Sequence, residues 1–70
     1  MSRPTHISPV EWELALAMAR SVCAAIFKQG GHPIDALQAY GFARDETANW
    51  QTAIEGVAFA HCQHALQNAA

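Results

Sequence analysis

The sequence predicts an all-α fold: two long helices joined by a short one, over about residues 9–29, 33–40 and 44–67, forming a dimeric helical bundle. Three observations carry this. Ser8-Pro9-Val10-Glu11 and Gly30-Gly31 punctuate the two ends of one long apolar-patterned stretch. The chain contains 15 alanines, and alanine combines the highest helix propensity with a side chain small enough to let helices approach closely. Val, Ile and Thr never occur together over four or more residues, and no stretch alternates apolar with polar for the length of a strand.

Residues 1–7 carry Pro4, polar side chains and no period, which reads as a flexible arm ahead of a single helical domain over 8–70. Ser8 is placed to accept from the backbone three residues on. Pro9 suits the first helical position, and Glu11 can reach back to the cap. Trp12, Leu16, Ala19, Cys23 and Ile26 then share one face at spacings of four and three, the seam of a helix packed along another. Leu14, Met18, Val22 and Ala25 make a second apolar stripe, leaving a narrow polar strip of Glu13, Arg20, Ser21 and Lys28.

Gly30 is read as the left-handed cap that side chains with a Cβ resist. Pro33 opens the short helix, with Ile34, Leu37 and Tyr40 turned inward. Gly41 closes it, and Phe42 follows as an apolar anchor. Arg44-Asp45-Glu46 reads as the start of the last helix, because acidic residues suit the positive end of the helix dipole. Trp50, Ile54, Val57, His61 and Ala65 lie along its main face, with Ala53, Gly56 and Ala60 as a small-residue flank and Phe59, Cys62 and Leu66 on another side. Glycine inside a helix costs about 1 kcal/mol relative to alanine, so Gly56 marks a close helix crossing.

A 70-residue chain makes one domain at most and buries a modest fraction of its surface. Yet 51% of its residues are hydrophobic and 14% charged, and both long helices carry more apolar girth than three helices of this length cover. A second copy is the expected cover, with Leu14, Met18, Val22, Phe59, Cys62 and Leu66 at the dimer interface.

The residues offer little chemistry. Net charge is −2, and the four cations Arg3, Arg20, Lys28 and Arg44 are scattered, so no electrostatic footprint for nucleic acid appears. Ala17-Met18-Ala19 resembles a signal-peptidase site, but Glu11, Glu13 and Arg20 interrupt the stretch that would have to be apolar, and the expectation is a cytoplasmic protein with free Cys23 and Cys62. His61 and His64 share a helix face, and Cys23 or His32 could complete a tetrahedral set. One ligand pair falls short of the two that structural zinc sites usually show, so no metal or cofactor is expected. The carboxylates Glu11, Glu13, Glu46 and Glu55 sit on separate turns, and no Ser or Cys has a nucleophile's context, so no catalytic residue and no enzyme activity are expected.

Residues Asp35 to Phe42, followed by Arg44 and Trp50, resemble a helix-turn-helix: a short helix, a glycine turn and a second helix with an aromatic. That resemblance implies a dimeric DNA-binding regulator. The exposed side chains Asp45, Glu46 and Asn49 run against it, since DNA affinity comes largely from Lys and Arg neutralising phosphates. The favoured expectation is a non-enzymatic protein-binding module, an adaptor, regulator or inhibitor acting as a homodimer. Its partner protein is expected to meet Asp35, Gln38, Tyr40, Phe42, Arg44, Asp45 and Glu46, a mixture of charge and aromatic side chains that a plain connector does not need.

Overall fold

The computed structural model of the chain describes residues 3–42 and 48–68, with the side chains of the last helix described as far as Gln63. These residues form three helices and no strand: α1 (Pro9–Lys28), α2 (Pro33–Ala39) and α3 (Trp50–Asn68). The radius of gyration is 11.8 Å, close to the ~11 Å of a compact chain of this length.

Helix α1 begins as its sequence dictates. Ser8 is extended, its hydroxyl oxygen accepts from the Glu11 amide at 3.2 Å, and Pro9 follows in the first turn. Sequence patterning leaves Ile7 in the arm, whereas its side chain is 2% exposed and belongs to the same buried cluster as Trp12. These two residues flank the cap as a hydrophobic staple, which fixes the angle at which the chain enters the helix. The approach to it is a turn, with the Ile7 amide on the Pro4 carbonyl and the Arg3 guanidinium donating to the Ile7 carbonyl at 2.6 Å.

The C-terminal ends of α1 and α2 use one device. The Gly30 amide donates to the Phe27 carbonyl and the Gly31 amide to the Ile26 carbonyl, with Gly30 at φ +84°. In the same way the Gly41 amide donates to Gln38 and the Phe42 amide to Leu37, with Gly41 at φ +83°. Both are Schellman closures, in which a residue at positive φ lets two otherwise unsatisfied carbonyls find donors. Between them, α2 starts on a reciprocal box: His32 Nδ1 accepts from the Ile34 amide at 3.4 Å and the Asp35 carboxylate accepts from the His32 amide at 2.6 Å.

The third helix starts later than its charge pattern suggests. Arg44-Asp45-Glu46 lies outside the described residues, but Ala48 and Asn49 are not helical and Trp50 opens the helix. Asn49 explains the boundary. Its side-chain oxygen accepts from the Thr52 amide at 2.9 Å and its carbonyl from the Ala53 amide at 2.9 Å, and an Asn cap is worth more than acidic residues near a helix dipole.

Helices α1 and α3 run antiparallel. Phe27, near the end of α1, meets Trp50 at the start of α3 edge to face with centroids 5.5 Å apart, and at the other end Gln63 lies 3.4 Å from His6. Among the described residues six of the buried side chains are alanines: Ala15, Ala19, Ala36, Ala48, Ala53 and Ala58. The helices therefore pack on short side chains, with Trp12, Leu16, Leu37 and Val57 filling the remaining space. On α3 the centre of the core falls on Ala53, Gly56, Val57 and Ala58, while Trp50, Ile54 and His61, expected on the main face, are half-buried at its margin.

Gly56 sits where α2 crosses α3. A Cβ there would lie 2.7 Å from a Leu37 methyl and 3.7 Å from the Phe42 ring. Gly56→Val is expected to destabilise by about 1–3 kcal/mol through overpacking, and thermal unfolding followed by circular dichroism should show a lower midpoint. An unchanged midpoint would mean that α2 does not press on α3 at this glycine.

Candidate functional site

The side of α1 turned away from the core is unusually apolar. Val10, Leu14 and Met18 follow one another at one-turn intervals and are 70%, 63% and 56% exposed. Farther along the same side come Ala17, Ser21 and Ala25, all exposed and all small, before the exposed Lys28 ends the face. Isolated exposed aliphatics are ordinary, but three in a row on one helix face form a continuous patch. Val10 was hidden in the sequence by its place in the capping turn; its four-residue spacing from Leu14 and Met18 is the signal that finds it.

Charge borders this patch. Glu13 and Arg20 are exposed on one flank, and Glu11 on the other. Among the described residues neither Glu13 nor Arg20 has an ion-pair partner. Seven residues separate them, ~10 Å along the axis, too far for a strong pair within the helix. Beyond Arg20 the same flank ends in a shallow apolar depression of about 220 Å³, lined by Arg20, Cys23, Ala24, Phe27 and Trp50. Phe27 stands at its edge with 63% of its surface exposed.

The other side chains expected at a dimer contact divide by environment. Leu14 and Met18 are exposed, whereas Val22, Phe59 and Cys62 are half-buried and packed against the core of their own chain. Leu66 lies outside the described side chains. Of the residues expected to meet a partner protein, Asp35 and Gln38 are exposed, and Asp35 already caps α2. Tyr40 is half-buried with its ring 5.4 Å from that of His61, and Phe42 is half-buried beside Gly56. Arg44, Asp45 and Glu46 lie outside the described residues. The helix-turn-helix resemblance needs a second helix able to meet phosphates, and α3 from Trp50 to Asn68 contains neither Lys nor Arg.

Both thiols are free. Burial pushes the Cys23 thiol above its ordinary range, and burial together with the negative charge of Glu11 does the same to Cys62. Each is thereby held further toward the unreactive thiol at neutral pH. Among the described residues no three His, Cys, Asp or Glu side chains gather where they would hold a metal ion, and no helix is long and apolar enough to cross a membrane. The chain matches no protein family, and neither a curated protein nor a solved structure is recognisably similar to it.

Among the described residues, His61 holds a buried polar atom that no hydrogen bond satisfies. Its Nε2 is buried without a hydrogen-bond partner among the described residues, while its ring packs against Tyr40. An unsatisfied buried nitrogen costs about 1–3 kcal/mol whichever tautomer is present. His61→Phe keeps an aromatic ring against Tyr40 and removes the unsatisfied atom, so the unfolding midpoint should rise by several degrees. A fall would mean that Nε2 is hydrogen-bonded in solution.

Proposed function

We propose that this chain is a small non-enzymatic protein-binding module that acts as a homodimer, in the manner of an adaptor, regulator or inhibitor. The observation that carries this reading is the outer face of α1, where Val10, Leu14 and Met18 each expose more than half of their surface on a helix whose opposite face already makes the core. A helix apolar on two sides is stable in water when both sides are covered. A contact surface is what such a face offers. With that face taken by the second copy, the exposed Asp35 and Gln38 on α2 give a polar edge on which a further protein can be read.

Sedimentation should therefore give a dimer at micromolar concentration. Leu14→Glu places a charge in the middle of the apolar face and should shift the chain to monomer while leaving the helical circular dichroism spectrum in place, because this side chain makes no part of the core. A wild-type chain that stays monomeric at several hundred micromolar contradicts the reading.

A further inference from the structure

Resting on the proposed self-association, we infer that the second copy lies antiparallel along α1, with Glu13 of each chain against Arg20 of the other. Side-chain volume supplies the first argument. The three large apolar residues of the exposed face, Val10, Leu14 and Met18, occupy its N-terminal half, and the small residues Ser21 and Ala25 occupy its C-terminal half as far as Lys28, which ends the face, with Ala17 at the junction. Antiparallel pairing sets Val10 opposite the partner's Ala25, Leu14 opposite the partner's Ser21 and Met18 opposite the partner's Ala17. Every large side chain then meets a small one, which is how facing helices fill space at interior density. Parallel pairing sets Val10 on Val10, Leu14 on Leu14 and Met18 on Met18, crowding one half of the seam and leaving the other thin.

Charge supplies a second argument, in the register that side-chain volume sets. In an antiparallel pair related by a two-fold axis, each flank of the seam faces the same flank of its partner. Glu13 and Arg20 share a flank. In the register set by the large and small residues, Glu13 comes within two residues, ~3 Å of axial offset, of the partner's Arg20. Two symmetric ion pairs form at once. In a parallel pair that flank would instead face the one carrying Glu11, and neither Glu13 nor Arg20 would gain an opposite charge. A seam one helix long lies at the small end of stable interfaces.

Charge exchange and cross-linking test the orientation separately from association itself. Glu13→Lys alone and Arg20→Glu alone should each weaken the dimer about tenfold by sedimentation equilibrium, by turning two attractions into two repulsions. The double variant should return to within about twofold of wild type, because reversed pairs attract equally. With Cys62 replaced by Ala, a mixture of Val10→Cys and Ala25→Cys chains should form a mixed disulfide on mild oxidation, while Val10→Cys alone should not cross-link to itself. A dimer in which Val10→Cys self-cross-links, or in which the double charge variant stays as weak as the singles, overturns the antiparallel arrangement and leaves the homodimer standing. A chain that is monomeric throughout overturns both.

Discussion

The close antiparallel contact between α1 and α3 is the constraint on which the rest of this small structure depends. Ala15 and Ala19 of α1 and Ala53 and Ala58 of α3 are all buried, and Cys23 and Val57 are fully enclosed. Short side chains bring the two helix axes together, and a thin core has no room for long ones on every side. Trp12 and Leu16 use the available volume; Leu14 and Met18, on the far side of the same helix, remain in water. The third layer follows the same rule. Because Gly56 has no side chain, Leu37 of α2 settles on α3, and the Schellman turn after α2 brings Phe42 onto the same glycine. Removing a methyl's worth of space at that crossing is therefore felt by two elements at once.

Helix boundaries governed by local chemistry were legible in the sequence. Ser8, Gly30 and Gly41 act where their residue types place them, since capping depends on one side chain or one positive φ rather than on the tertiary fold. The start of α3 was not legible, because acidic residues at 45 and 46 and the Asn at 49 are competing signals, and the hydrogen bond from Thr52 to Asn49 marks which one sets the boundary. Ile7 was also missed. A lone apolar residue ahead of a cap has no period to reveal it, yet it closes the core against Trp12.

The core face of α1 was readable from spacing alone, but that of α3 was displaced toward its small residues. Weighting side chains by size favours Trp50, Ile54 and His61, whereas close packing favours Ala53, Gly56 and Ala58. The candidate site was half legible for the same reason. Leu14 and Met18 stand out as surplus apolar surface, but spacing gives Phe59 and Cys62 equal standing, and contact with their own core is what sets them apart. Once the outer face of α1 is isolated, its graded side-chain sizes stand out beside Glu13 and Arg20, which have no ion-pair partner among the described residues.

A second copy on that face has a thermodynamic signature that does not depend on where the contact is made. Folding and association are then linked, so the thermal midpoint must depend on concentration. Circular dichroism melts at 5 µM and 500 µM, on the same chain in the same buffer, measure this directly. Self-association through α1 is expected to raise the midpoint by several degrees at the higher concentration. Superimposable melts, with the helical signal intact, would mean that the three helices carry their exposed Val10, Leu14 and Met18 as a stable monomer, and would contradict the central claim.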